Sequence, residues 1–313
     1  MKVSFINALF ILCCCCTKIA HGESNVVEGQ EPETHLFFIY GQSNASGAAA
    51  DIDTTPAKSG ELWNVFSKAP EILQDPTRHD GIFKGSAWPT FAEEFNRLSG
   101  NIAIILNAAF SGSAMQDLKV GTTNNNVAMG WLRDALAHYG SKIKSVSMIF
   151  VHGEADSKLQ TSYDVYFNDL AEISDHLNSI TDLYTATYVH RVGIDLSSSQ
   201  YSNLMIKFGH EIIERTKLQG DLMPVFVKAP TFNVENGFQE AASNHYSQAG
   251  YKYMGQEMAA NIYNHQRGCD IAPDLYDESV YITEFGVAPS PSPSSCTPSK
   301  AINAILYYYL LRR

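Results

Sequence analysis

Two hydrophobic patterns alternate along this chain. Nearly unbroken apolar runs occur at Leu36 to Tyr40, Asn101 to Asn107, Val146 to Val151, Leu183 to Val189 and Leu222 to Val227. Runs of this length without polar alternation predict strands buried on both faces, as in a parallel sheet. Between them the apolar positions recur at helical spacing. Phe91, Phe95 and Leu98 predict a helix with Pro89 near its start, and Trp131 to Tyr139, Tyr163 to Leu177, Tyr201 to Leu218 and Gly250 to Asn264 predict four more. Glu61-Leu62-Trp63 reads as a short strand or a substrate-facing loop, after a polar loop from Ala48 to Gly60. Strands alternating with helices imply a parallel sheet covered on both faces, and no repeat interrupts the alternation.

The strand ends matter more than the strands. The first run breaks into Gly41-Gln42-Ser43-Asn44-Ala45-Ser46-Gly47, a tight bend with a serine just past the carboxyl end. The second empties into Ala108-Ala109-Phe110-Ser111-Gly112-Ser113, and the third into His152-Gly153-Glu154-Ala155-Asp156. Open α/β sheets place their reacting groups at such edges. A serine hydroxyl becomes a useful nucleophile when a base takes its proton, and histidine serves near neutral pH. The base is commonly held in one tautomer by a carboxylate. The oxyanion that forms needs fixed N–H donors, which the turns at Ser43-Asn44, Lys84-Gly85-Ser86 and Ser111-Gly112 can present. His245, in the loop before the last helix, is the candidate base.

Composition narrows the partners. The chain has 313 residues, long enough for one large α/β domain or two small ones, with 33 Asp plus Glu against 22 Lys plus Arg. An acidic balance without a basic run argues against nucleic acid and favours a neutral substrate. Residues 1–22 read as a secretory signal peptide, with Lys2, an apolar stretch from Val3 to Cys16 and Ala20-His21-Gly22 at the cleavage site. The chain is therefore expected to be secreted. A spacer (23–34), a main domain (35–268) and a C-terminal segment (269–313) would follow. Four of the six cysteines would leave with the leader, and Cys269 and Cys296 would be free to pair in an oxidising compartment. The mature chain has no CxxC spacing, so no metal site is expected. Pro289 to Pro298 is a Pro/Ser-rich stalk, and the short apolar tail from Ala301 to Leu311 is either a loose end or, loosely, an anchor signal. Membrane contact is expected only in the second case, and oligomeric state is left open.

The order GQSN, GSAWPTFAEEF, SGSA, HGEAD and NHYSQAGYKYMG resembles the SGNH-hydrolase superfamily, and within it the sialate O-acetylesterase and carbohydrate-esterase family 6 branch, from about Leu36 to Tyr263. The resemblance implies a doubly wound α/β/α sandwich of flavodoxin-like type and a serine esterase that removes O-acetyl groups from sugars without a cofactor or metal. It implies Ser43 as nucleophile and His245 as base, with Gln42, Asn44, Gly85, Ser86, Ser111, Gly112 and His152 lining the site or binding the oxyanion. The chain departs from the family pattern in two places. Ala242 stands where the family's aspartate precedes the histidine, so Glu154, matching the glutamate of the family's QGE motif, is assigned as the acid that orients His245, with Asp156 and Glu240 as substitutes. His152 replaces the glutamine of that motif and is assigned a ring N–H toward the site. These departures sustain an alternative, a carbohydrate-binding protein on a weakened esterase scaffold. An esterase for lipid or other short-chain esters is a third reading. Asn44-Ala45-Ser46 matches a glycosylation sequon, but a glycan beside the nucleophile would block it.

Overall fold

Leu36 to Tyr40 form the body of strand β1 (Thr34–Gly41) in the computed structural model, which describes residues 31–78, 85–190, 199–216, 222–225, 238–241 and 243–268. The expected leader, Lys84, Ala242, Cys269, Cys296 and the C-terminal stalk and tail lie outside the described residues. After β1 the order is α1 (Ser43–Ser46), β2 (Glu61–Asn64), β3 (Ala69–Ile72), α2 (Trp88–Ser99), β4 (Ile102–Asn107), α3 (Met115–Leu118) and α4 (Thr123–Tyr139). The second half continues β5 (Ile143–Val151), α5 (Glu154–Leu159), α6 (Tyr163–Ile180), β6 (Tyr184–His190), α7 (Ser199–Thr216), β7 (Leu222–Val225) and α8 (Gln248–Gln266).

The strands make one sheet in the order β3-β2-β4-β1-β5-β6-β7. β1 pairs in parallel with β4 on one side and β5 on the other, so the chain winds outward both ways from it. Alternate residues of β1 enter different cores. Leu36, Phe38 and Tyr40 pack with Leu132 of α4, Leu170 of α6 and Phe208 of α7. Phe37 and Ile39 pack with Phe91 and Phe95 of α2 and Met254 and Met258 of α8. The unbroken apolar run thus corresponds to a strand covered on both faces, each buried side chain worth about 1.5–3 kcal/mol. The architecture is the doubly wound three-layer sandwich. Among the described residues no helix is long and apolar enough to cross a membrane.

Three local features differ from the reading of the sequence. Glu61 to Asn64 takes the strand alternative, but it forms an unanticipated hairpin with β3, the one antiparallel pairing among the described strands. Pro70 hid β3, and a proline is tolerated there because β3 is the edge. Helix α4 starts at Thr123, eight residues before the expected Trp131, and the Thr122 hydroxyl accepts the Asn125 N–H at its first turn. The polar run Thr123 to Asn126 concealed that turn, although Asn125 is fully buried. The Ser43 turn is itself a single helical turn, with Gly47 N–H returned to the Ser43 carbonyl at 3.0 Å.

α2 and α8 lie against each other on the site's side of the sheet. At Gly255 an added Cβ would sit 2.4 Å from the Ala87 carbonyl oxygen, so the helices approach at backbone distance there. Gly255→Val should therefore force α8 off α2 and cost about 1–3 kcal/mol. Chemical denaturation checks this, and an unchanged midpoint would mean that the two helices do not need the close approach.

Candidate functional site

The site is built at the carboxyl end of β1. Gly41 has φ of +133°, and a Cβ there would lie 2.0 Å from the Val151 carbonyl oxygen of β5. Only glycine fits both the angle and the contact. Gln42 N–H then donates to the same carbonyl at 3.2 Å, and Ser43 opens α1. On the other side, Ser247 caps α8 by accepting the Gly250 N–H, which fixes where the preceding loop leaves the helix.

His245 comes from that loop, and its Nε2 stands 3.0 Å from Ser43 Oγ. The two residues are 202 positions apart in sequence. The N–H groups of Ser43 and Asn44, at the start of α1, and of Gly112, in the turn after β4, make no hydrogen bond among the described residues. Ser111 and Gly112 are exposed, and the loop carrying them is pinned to β1 by Phe110 N–H donating to the Gly41 carbonyl at 2.8 Å. A hydroxyl, an imidazole and uncommitted N–H groups therefore share one rim of the sheet.

Other expected members of the site are engaged elsewhere. Glu154 does not reach the imidazole. Its Oε1 accepts from Asn44 Nδ2 at 2.6 Å, and Oε2 has no partner among the described residues. Asp156 accepts from Met115 N–H at 2.7 Å and from the Thr161 hydroxyl at 2.6 Å, tying α3 and the loop after α5 together. Glu240 accepts from Ala50 N–H at 2.6 Å. Among the described residues no carboxylate lies within ion-pair reach of His245. The carboxylates at this rim accept from other groups instead: Glu154 from a side-chain amide, Asp156 from a buried backbone N–H and a hydroxyl, and Glu240 from an exposed backbone N–H.

His152 is likewise a packing and hydrogen-bonding residue, fully buried rather than turned to the site. Its Nε2 donates to the Ser113 carbonyl at 3.0 Å, Nδ1 pairs with the Tyr166 hydroxyl at 3.2 Å, and its ring stacks on Tyr166. A carbonyl only accepts, so the proton sits on Nε2 and no ring N–H is left for an oxyanion. Ser86 and Gly85 are also committed. Ser86 N–H and Oγ donate to the two Asp75 oxygens at 2.9 and 2.5 Å, and Gly85 N–H donates to the Ala49 carbonyl at 3.4 Å. Ser86 Oγ also accepts the Trp88 N–H at 3.3 Å, so this serine is engaged by Asp75 and the start of α2 rather than by an oxyanion. Gln42 holds α5 by accepting the Ala155 N–H at 3.2 Å.

Asn44 is 1% exposed, and its Nδ2 donates to the Asn244 carbonyl at 3.0 Å as well as to Glu154. Nδ2, the atom a glycan would take, is therefore closed to modification. Tyr251 completes the group by donating to Asn44 Oδ1 at 2.7 Å. Burial, reinforced by Glu154 and Glu240, pushes the Tyr251 pKa well above the ordinary tyrosine value and keeps it a donor, despite the opposing Ala48 N–H. Sequence reading missed Tyr251, which lies in the apolar repeat of α8 and looked like core. It also missed Asp75 and Arg78, in a loop without periodicity. Arg78 donates to the Ala109 carbonyl and lies 5.6 and 5.7 Å from the Phe110 and Trp131 ring centres. Phe110 stacks on Trp131 at 5.8 Å, and exposed Phe66 meets Trp131 edge-on, so aromatic surface runs outward from the Gly112 turn.

No protein-family model matches the sequence, and no curated protein sequence matches it. Among solved structures, a protein from Arabidopsis thaliana is similar at 13% identity, with 74% of this chain and 98% of that one covered and a TM-score of 0.59. A lipase/acylhydrolase from Enterococcus faecalis is similar at 14% identity, over 74% of this chain and 96% of that one, with a TM-score of 0.44. A carbohydrate acetylesterase from Xanthomonas citri is similar at 14% identity, over 75% of this chain and 55% of that one, with a TM-score of 0.43. At such identities the shared property is the fold. The Arabidopsis protein carries that statement, since nearly its whole length follows the same architecture.

Asp75 gives the site region a pH signature. Burial raises its pKa to about 6, against the opposing pull of the Ser86 and Gln248 donors. Between pH 4 and 6 the folded chain holds a proton that the unfolded chain has released. Stability from this group therefore falls as pH rises through that window, by about 3 kcal/mol at most. Asp75→Asn removes this slope. Urea unfolding of both proteins should show the stability difference moving toward the variant between pH 4 and 6.5. A difference independent of pH would show that Asp75 stays ionised in the fold.

Proposed function

We propose that the chain is a secreted serine esterase that removes O-acetyl groups from carbohydrates. The single observation that carries the esterase reading is the 3.0 Å approach of His245 Nε2 to Ser43 Oγ at the carboxyl edge of the central strand. Nε2 accepts the hydroxyl proton as Oγ attacks the acetyl carbonyl, so Nδ1 carries the ring proton in the resting state. The tetrahedral oxyanion is held by the N–H groups of Ser43, Asn44 and Gly112, and each such donor is worth roughly 2.7–4 kcal/mol. His245 returns its proton to the departing sugar oxygen, leaving the acetyl group on Ser43. A water, deprotonated by the same imidazole, then releases acetate and restores the hydroxyl.

The carbohydrate part rests on the motif resemblance and on the rim. Phe110, Trp131 and Phe66 lay aromatic surface beside the Gly112 turn, suited to the C–H face of a sugar ring. The surplus of acidic groups suits a neutral glycan better than a polyanion. One observation favours a second reading, binding without turnover: among the described residues His245 has no carboxylate partner.

Ser43→Ala should lower hydrolysis of 4-nitrophenyl acetate by at least about 10³-fold while leaving the unfolding midpoint in place. Near-parental turnover would remove Ser43 from the mechanism. Acetate release from a panel of acetylated xylan, sialic acid and microbial polysaccharide should be seen with the parent protein. Glycan binding with no acetate released would establish the second reading. Faster hydrolysis of octanoyl than of acetyl esters would move the substrate to lipids.

A further inference from the structure

We infer that Asn44 is the positioning residue of this site, clamping the base to the nucleophile through the main chain where a triad would use a carboxylate on the imidazole. The inference rests on the esterase reading of Ser43 and His245. Its ground is that one buried side chain contacts both halves of the pair. Asn44 follows Ser43 directly on α1, and its Nδ2 donates to the carbonyl of Asn244, the residue directly before His245. That bond spans 200 positions of sequence and fixes the peptide from which the imidazole springs.

The amide is fully used. The second Nδ2 hydrogen goes to Glu154 Oε1 at 2.6 Å, a charge-assisted bond, and Oδ1 accepts the Tyr251 hydroxyl at 2.7 Å. Tyr251 in turn accepts Ala48 N–H at 3.2 Å, which secures the chain just after α1. Glu154 comes from α5, Tyr251 from α8 and Asn244 from the loop before α8, so three separate segments hold one amide in one rotamer. The His245 loop has its own ties: His245 N–H donates to Ser243 Oγ at 2.9 Å, and the His245 carbonyl accepts Glu240 N–H at 3.1 Å. These ties close the loop on itself. The Asn44 bond anchors it to the nucleophile's helix.

This arrangement explains why a glutamate can be buried at the rim without touching the base. Glu154 is 1% exposed, and the one hydrogen bond its carboxylate makes among the described residues is to Asn44. Its work is done on the amide. A glutamine there still offers a carbonyl oxygen to Asn44 Nδ2, whereas a triad acid changed to its amide loses about 10⁴-fold in kcat.

The test uses the full chain with 4-nitrophenyl acetate, and a small fluorophosphonate whose reaction with Ser43 needs the hydroxyl–imidazole pair but no sugar pocket. Asn44→Ala should lower kcat and the rate of phosphonylation together by about 10²-fold, the scale of an ångström's misplacement, with KM within twofold. Glu154→Gln should lose less than tenfold. Tyr251→Phe, which frees Asn44 Oδ1 and the Ala48 N–H while leaving Nδ2 on the Asn244 carbonyl, should fall between parent and Asn44→Ala and serves if Asn44→Ala does not fold. Loss of 10⁴-fold in Glu154→Gln would return Glu154 to the triad and overturn the clamp. Parental kcat and phosphonylation in Asn44→Ala, or in Tyr251→Phe where the alanine variant does not fold, would also overturn it. If Ser43→Ala is inactive and Asn44→Ala is not impaired, the clamp alone fails. If Ser43→Ala remains active, the esterase reading fails first.

Discussion

The backbone of Gly41 lies against the Val151 carbonyl with no room for a side chain, and the rest of the site hangs from that contact. It ends β1 while the strand is still fully buried, and it turns the chain so that Ser43 stands at the sheet's edge rather than running on into solvent. β1 can be so exact a support because it is the middle of the sheet. Its two neighbours, β4 and β5, deliver the Gly112 turn and the Glu154 helix to the same edge. A reacting group placed on an outer strand would have had one such neighbour, and fewer elements to hold it.

The polar groups around Ser43 divide their tasks by burial. His245 is half-buried and turns its ring to the hydroxyl. The more deeply buried groups, Glu154, Asp156, His152 and Ser86, hold backbone or side-chain donors and acceptors that the folded loops would otherwise leave unpaired. Leaving one of these buried donors unpaired would cost about 1–3 kcal/mol, which is what their acceptors offset. Asn44 stands between the two groups, since it satisfies a buried carboxylate and a loop carbonyl with the two hydrogens of one nitrogen.

Much of the fold was legible because two-faced burial leaves unbroken apolar runs and amphipathic helices leave a regular spacing. Leu36 to Tyr40 and Ile102 to Leu106 could be read for that reason. β3 could not, because a proline on an edge strand reads as loop. The first turns of α4 could not either, because Asn125 is buried through tertiary contacts that a local pattern does not carry. At the site, Ser43 and His245 stood out by their motifs, while Tyr251 and Asp75 were hidden among core and loop residues.

What the sequence alone determined is the alternation of buried strands and covering helices, the strand ends that carry Ser43, Gly112 and Glu154, and the glycine that makes the first of these turn. These are local properties, written in spacing and in residue size. Only the tertiary structure decided that Ser43 and His245 meet, that Glu154 spends its charge on Asn44, and that His152 faces inward. Each of those depends on which of several competing partners a side chain reaches. That is settled by packing between elements far apart in the chain, where no periodicity records it.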